Sequence, residues 1–281
     1  MYKLLYMKNK MIFITLNAVL CLSFISCKKE KADKSQGSNF NLLVKTVTKY
    51  NQNNAAATSS FTYNTAGLLI QRQYNYADNS NNSGANTEKF YRNNQGRLDS
   101  ITLFATGTGS IPLLTTTHFY YNNAGKLMLS ISIDPIGGQP TRDSSVYLYS
   151  GTVLQKRTDY RSFNGAAYFL LRNVAYQFDL AGNLLTAVFD WTTNPNIATL
   201  SFGYDSKPNP LPVGGLDKSL FYWAPVFYTD YKPGNNPIIT NVTDGSSYTT
   251  EYNYTANNKP LYGKSTYTGS SAFFETWFYY D

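Results

Sequence analysis

From Phe61 onward, apolar and aromatic residues alternate with polar ones at a period of two, the spacing of a strand with one face toward a core. The alternation is punctuated by a recurring unit: FTYNTAGLL, FYRNNQGRL, FYYNNAGKL and YQFDLAGNL. Its glycines are Gly67, Gly96, Gly125 and Gly182, and a shortened copy, VYLYSGTVL, places Gly151 between the last two. Successive glycines stand 29, 29, 26 and 31 residues apart. Six residues before the glycine of each full unit is Phe61, Phe90, Phe119 or Tyr176. Four before are Tyr63, Tyr121 and Phe178, with Arg92 the exception. Residues two apart share a strand face, so these aromatics can stack in cross-strand ladders. Three before the glycine is Asn64, Asn93, Asn122 or Asp179, whose side chains bond their own backbone in turns, while glycine itself accepts positive φ. Together these features predict antiparallel hairpins. A further copy, YNYTANNKPL from Tyr252, puts Asn258 in the glycine position, and Asn is the best non-glycine residue at positive φ. Pro260 then opens a strand, where a missing N–H is tolerated.

Looser polar connections, DNSNNSGAN, ATGTGSIP, DPIGGQPTR and RSFNGA, separate the hairpins. Tight turns at one end and longer loops at the other predict an up-and-down meander of about 14 to 16 strands. So long a sheet twists, and closing it removes its exposed edges. The expected fold class is therefore all-β: a large antiparallel meander of long hairpins, closed or nearly closed into a barrel, in a single domain over 40–281. The stretch 205–247 breaks the rhythm, holds six of the 11 prolines and is expected to be an irregular insert. Within it crowd Phe221, Tyr222, Trp223, Phe227, Tyr228 and Tyr231. Such rings could stack on the apolar faces of sugars, or pack as a cap that closes one end of the sheet, with Asp205 and Asn209 forming turns. The cap is the preferred reading.

The N-terminal region follows a different pattern. Lys8 and Lys10 precede the mostly apolar run Met11–Ile25, which ends at Ser26-Cys27. That is the charged, apolar, small-residue order of a secretory signal, and the run is too short for a spanning helix of about 20 residues. Phe24-Ile25-Ser26-Cys27 resembles a lipobox, which implies a diacylglycerol thioether on Cys27 after removal of residues 1–26. The polar, charged stretch that follows to Asn39 reads as a flexible tether.

This division changes the meaning of the formal net charge of +7. Three lysines fall in the signal and four in the tether, so the remainder carries 17 basic and 15 acidic side chains and presents no field for a nucleic acid. The only cysteines are Cys21, inside the signal, and Cys27, so no internal disulfide is available. Catalytic chemistry finds little support. The sole histidine, His118, has no partners for a triad or zinc site and reads as an ordinary strand residue. The ATGTGS stretch lacks the helix of a phosphate loop. A carboxylate pair such as Asp159 with Asp190 could face across a sheet as in a glycosidase, without any motif to favour it. No metal and no cofactor are expected.

Strands of this length could also cross a bilayer, which requires a lipid-facing side free of charge. Read by strict alternation, Leu127, Leu129, Ile131 and Ile133 share one face of Lys126–Asp134, but Ile70, Arg72 and Tyr74 share another, and Arg157 and Asp159 intrude elsewhere. A barrel held on a tether is thus preferred over a transmembrane pore.

The unit Y-x-Y-N-x-x-G-x-L is similar to the YD repeats of Rhs-type shell proteins; its longer period and single Asp argue against a toxin-enclosing shell. With FISCKKEK at the start, YDSKPNPL at Tyr204–Leu211 and YTTEYNYTANNKPL at Tyr248–Leu261, the chain resembles Bacteroidota lipoproteins of unknown function with a porin-like β fold. The resemblance implies a cell-envelope location, at the outer membrane, without implying an activity. The functional expectation is a non-enzymatic binding or structural module on a lipid anchor, its partner a glycan or another envelope protein; a carbohydrate-binding surface lipoprotein and a pore are the alternatives.

Overall fold

The computed structural model describes residues 42–51, 55–77, 83–107, 113–134, 140–192, 194–208, 235–242 and 247–281. They form sixteen strands: β1 (Leu43–Tyr50), β2 (Ala56–Tyr63), β3 (Leu69–Ala77), β4 (Ser83–Arg92), β5 (Leu98–Gly107), β6 (Leu113–Tyr121), β7 (Leu127–Asp134), β8 (Thr141–Ser150), β9 (Val153–Phe163), β10 (Phe169–Phe178), β11 (Leu184–Trp191), β12 (Asn194–Pro208), β13 (Asn235–Val242), β14 (Ser247–Tyr254), β15 (Pro260–Tyr267) and β16 (Phe273–Tyr280). Each pairs antiparallel with its chain neighbours, and β1 pairs with β16 from Leu43↔Tyr280 to Tyr50↔Phe274, closing the barrel. The all-β meander and its closure agree with the sequence pattern. Leu42 and Asp281 clasp the seam: the Asp281 amide donates to the Leu42 carbonyl at 3.1 Å, and the Leu42 amide donates to Asp281 Oδ1 at 2.6 Å. Part of 205–247 is regular, because β12 runs to Pro208 and β13 begins at Asn235.

The recurring unit builds one turn several times. Asn64 N donates to Leu68 O and Gly67 N donates to Asn64 O, both at 2.9 Å, and the same two bonds recur at Asn93, Asn122, Asp179 and Thr255. The side-chain oxygen of the first residue also accepts the amide four residues on, in Leu68, Arg97, Lys126, Asn183 and Lys259. Gly67, Gly96, Gly125, Gly151, Gly182 and Asn258 all have positive φ, from 56° to 83°.

A β-bulge just after these turns alters the face assignment, its extra residue being Ile70, Asp99, Met128, Leu185 or Leu261. Register slips between Thr62 and Tyr63, Tyr91 and Arg92, Tyr120 and Tyr121, Gln177 and Phe178, and Asn253 and Tyr254. Each slip sets the residue four before the turn glycine or Asn against the one two after, giving Tyr63↔Leu69, Arg92↔Leu98, Tyr121↔Leu127, Phe178↔Leu184 and Tyr254↔Pro260. The extra residue resets alternation by one. Leu69, Leu98, Leu127, Leu184 and Pro260 are consequently buried inside. Strict alternation therefore misassigns β7: Leu127 points in with buried Ser130, whereas Leu129, Ile131 and Ile133 point out. Ile70 is likewise exposed and does not share a face with the inward Arg72.

Two side-chain devices tie neighbouring strands together at the tight-turn end. Hydroxyls of Tyr63, Tyr121, Tyr204 and Tyr280 donate to the carbonyls of Leu43, Leu98, Leu184 and Pro260, each at the start of the preceding strand, at 2.6 to 2.9 Å. Basic residues just after a turn lie over the terminal ring of the next even-numbered strand: Arg97 over Tyr121, Lys126 over Tyr149 and Lys259 over Tyr280, 4.9 to 5.9 Å from the centroids. Such contacts contribute about 0.5–1 kcal/mol each where exposed.

The inward residues of β1–β12 and β16 join one apolar cluster around Phe61, Phe90, Phe119, Leu127, Val174 and Tyr176. A polar layer crosses it at mid-height. There hydroxyls pair across strands, as in Thr48 with Thr276 at 2.6 Å and Thr250 with Ser265 at 2.7 Å, and charges pair as in Arg72 with Glu88 at 2.9 Å. Gly263 belongs to the inward face opposite Tyr252, where a Cβ would meet the Tyr252 ring at 2.9 Å. Gly263→Ala should therefore displace the ring and lower stability by about 1–3 kcal/mol, the usual cost of overpacking. Denaturant unfolding of the variant beside a Tyr252→Leu, Gly263→Ala double variant checks this, since the smaller side chain should recover part of the loss.

The outer face carries Glu251, Lys264, Glu275 and Lys49 in direct cross-strand register on β14, β15, β16 and β1. Tyr262 and Trp277 lie beside this row, with the Tyr262 hydroxyl donating to Glu275 at 2.6 Å. On the opposite wall, Leu129 and Val146 form an apolar rung next to Ile131 and Leu148. Arg72, Arg157 and Asp159 face inward and say nothing about this surface, whose charges include the β14–β1 row and exposed Arg142, Lys156 and Asp190.

Candidate functional site

Cys27 and the aromatics Phe221, Tyr222, Trp223, Tyr228 and Tyr231 lie outside the described residues, as does Asn209. Asp205 makes the bond of a turn former, its Oδ1 accepting the Lys207 amide two residues on, but it does so within β12, where Oδ1 also accepts the Asn236 amide and the Tyr254 hydroxyl donates to Oδ2. Asn236 and Asn235 extend this clasp to Lys207, and Asn183 exchanges bonds of 3.0 Å with Asn235, so both stems of the 209–234 segment are tied to the barrel. His118 pairs with Ser100 and Ile131 on the outer face. Asp159 and Asp190 do not meet, because Asp159 is opposite inward Arg172 and exposed Asp190 is opposite Asn173. Among the described residues no group of His, Cys, Asp and Glu could hold a metal ion.

The structure draws together a different set, on β8–β11. Asp159 is the hub. Its Oδ1 lies 2.7 Å from Arg157 Nε and accepts the Ser145 hydroxyl at 2.7 Å; its Oδ2 accepts Arg157 Nη2 at 2.8 Å and Arg172 Nε at 2.5 Å. Arg172 in turn stacks over Trp191 at 4.5 Å and Phe189 at 5.6 Å. Burial favours the neutral acid, but the Arg157 and Arg172 guanidiniums, with the Arg172 and Ser145 hydrogen bonds, outweigh it and hold Asp159 below the ordinary carboxylate range. Burial pushes the neighbouring Tyr176 hydroxyl up to about 12.

Exposure along the inward column of β9 shows where the barrel is closed. Arg157 is 0 % exposed and Asp159 4 %, whereas the Arg161 side chain is 35 % and Phe163 44 % exposed. The neighbours repeat the gradient. On β8, Tyr147 and Ser145 are buried while the Asp143 side chain is 38 % exposed; on β10, Val174 and Arg172 are buried while Phe169 is 41 % exposed. In this sector the barrel has a floor at Asp159 and opens toward the long-loop end. Above that floor, Arg161 Nε and Nη2 donate to Asp143 Oδ1 and Oδ2, both at 2.7 Å, a bidentate pair.

At the lip, Phe163 and Phe169 stack with centroids 5.9 Å apart at 29°. Their hairpin turns through Asn164 at φ 53° and Gly165 at φ 75°. It is held from both sides: Asn164 N donates to Pro140 O at 3.0 Å, and the Thr192 hydroxyl reaches the carbonyls of Leu170 and Leu171 at 2.7 and 3.0 Å. The Ser162 hydroxyl adds a bond to Ala166 O at 2.6 Å. The sequence marked RSFNGA only as a loop. Its Asn-Gly pair was the available turn signal, but the meeting of Phe163 with Phe169 and of Arg161 with Asp143 depends on strand register.

No family model matches the chain, and no curated protein matches its sequence. Its fold is similar to that of a porin-like protein from Bacteroides uniformis, with TM-score 0.57 and 14% identity over 85% of this chain and 96% of that one. A porin-like protein from Bacteroides vulgatus gives TM-score 0.50 and 16% identity, covering 85% of this chain and 99% of that one. At these identities the likeness concerns the fold, a large antiparallel β-barrel.

Proposed function

We propose that this chain is a cell-envelope lipoprotein, held by a lipid on Cys27, whose barrel serves as a non-enzymatic binding or structural module. The observation that carries the reading is the buried Arg157–Asp159–Arg172 cluster inside the barrel. Barrels of 16 strands that conduct leave a water-filled lumen, and a lumen beside these groups would expose them. The alternating charges of Glu251, Lys264, Glu275 and Lys49 add support, since each would cost about 2–4 kcal/mol or somewhat less at the midplane of a bilayer.

On this reading the tether joins the barrel where the chain enters it. Leu42 lies at the tight-turn end, and residues 28–41 could reach at most roughly 50 Å when extended. A tether of that reach exceeds the length of an eight-residue strand, about 27 Å, and holds the barrel near the membrane in any orientation.

A pore is the second reading. It is favoured by the porin-like fold of the neighbours and by the apolar rung Leu129–Val146. Expression of residues 28–281 without the lipid separates the two. The module should be monodisperse in detergent-free buffer with a β-rich circular dichroism spectrum; a barrel that stays in solution only with detergent would support the pore.

A further inference from the structure

Resting on the reading of the barrel as a binding module, we propose that the open end over Asp159 is a saccharide-binding site, with Phe163 and Phe169 as the stacking platform and the Arg161–Asp143 pair as the hydroxyl-binding group. Three independent features of the geometry carry it. First, two large apolar rings are each more than 40 % exposed, on a hairpin fixed by Asn164, Ser162 and Thr192, so their exposure is built into a rigid lip. The C–H faces of a pyranose suit such rings, which a fixed hairpin presents without an ordering cost.

Second, the polar group beside the rings is half-exposed and already oriented. Among the described residues Asp143 uses one lone pair on each oxygen for Arg161, which leaves the others to accept sugar hydroxyls, while the guanidinium has donors beyond Nε and the Nη2 proton engaged there. A planar fork of donors beside a carboxylate matches vicinal hydroxyls, which donate and accept at adjacent carbons. The pair is neutral in sum, so it suits an uncharged saccharide better than a polyanion.

Third, the floor is polar. Asp159, Ser145 and Arg172 lie one step below Arg161 and Asp143, with Trp191 against Arg172 at the side wall. A purely apolar ligand entering over this floor would desolvate charged groups without pairing them. Mouths of β-barrels lined by aromatics with a few convergent polar groups are recurrent ligand sites.

The test titrates the full chain, in a detergent without a sugar headgroup, with maltohexaose, cellohexaose, xylohexaose, mannohexaose and chitohexaose by isothermal calorimetry. At least one should bind saturably at micromolar to millimolar concentration. The Phe163→Ala, Phe169→Ala double variant and Arg161→Gln should each weaken it about tenfold or more, the scale of one well-placed contact. Both changes touch half-exposed side chains, and circular dichroism with thermal unfolding confirms that the variants fold. Tyr262→Ala on the outer wall should leave binding unchanged. Failure of all five oligosaccharides to bind, undiminished binding in the double variant, or displacement from this end only by a fatty acid would overturn the assignment. Such a failure in a chain whose 28–281 portion is soluble without detergent removes the saccharide alone; a portion that needs detergent removes the module reading beneath it.

Discussion

Asp159→Asn should destabilise the barrel by about 3–5 kcal/mol, the cost of breaking a buried charge cluster by removing one partner. The substitution keeps the shape of the side chain and removes only its charge. Arg157 and Arg172, both inside the barrel and both bonded to this carboxylate, would then face each other without their shared counter-ion. Denaturant unfolding of the 28–281 protein measures the loss. Replacing the three residues together by Met, Leu and Met should recover most of it, because an apolar set removes the unpaired charges as well. A loss below about 1 kcal/mol for Asp159→Asn would mean that water reaches the cluster and that the floor is open.

The same residue sets an acid limit. Its folded-state titration lies below that of an unfolded Asp, near 3.9, so its contribution is complete above about pH 4 and is lost as pH falls through the folded value. The Asp159→Asn protein should therefore show a shallower fall of stability below pH 4 than the parent. Parallel curves for the two would contradict the placement of Asp159 between two guanidiniums.

Phe119→Ala should also cost about 3–5 kcal/mol, as large-to-small changes at fully packed aromatics do. Phe119 is buried in the same cluster as Phe61, Phe90 and Tyr176, the rings that stand six residues before successive turn glycines. Tyr120, its exposed chain neighbour, provides the comparison: Tyr120→Ala should change stability by under about 1 kcal/mol if the two faces of β6 are assigned correctly. Equal losses at the two positions would show that both faces of β6 are covered. A loss only at Tyr120 would invert the barrel and place apolar side chains on a lipid face.

The turn grammar was legible because it is local. Asn64 and Gly67 lie within one turn, so spacing alone identifies them, and the inward aromatics six residues before the glycine of each full unit, and four before it in all but the Arg92 copy, follow from a period of two. The substitution of Asn258 for glycine was readable for the same reason. The faces after each turn were not legible. An extra residue just after the turn, Met128, shifts β7 by one, and no residue type at the bulge announces it. Alternation read through the turn placed Leu127 with Leu129, whereas the bulge separates them.

Charges were misread for a related reason. Arg157 and Asp159 stand two apart and so share a face, which the sequence makes plain, but their being inside depends on a neighbour, Arg172, on another strand. The sequence marks them only as charges in a strand. The candidate site has the same character: Asp143 and Arg161 lie 18 residues apart and become a bidentate pair only through the β8–β9 register. Lone aromatic residues in a loop-strand junction, Phe163 and Phe169, carried no periodic signal of their own.

On the proposed reading, the barrel is a module closed at Asp159 and held at the membrane by the lipid on Cys27 alone. The most direct measurement is fractionation of cells producing full-length Cys27→Ala beside the parent chain. The parent should sediment with membranes and enter a detergent phase, and the Cys27→Ala protein should appear in the soluble envelope fraction with its β-rich fold intact. Cys27→Ala protein that is folded and still extracted only by detergent would contradict the account, because the strands themselves would then hold the chain in the bilayer.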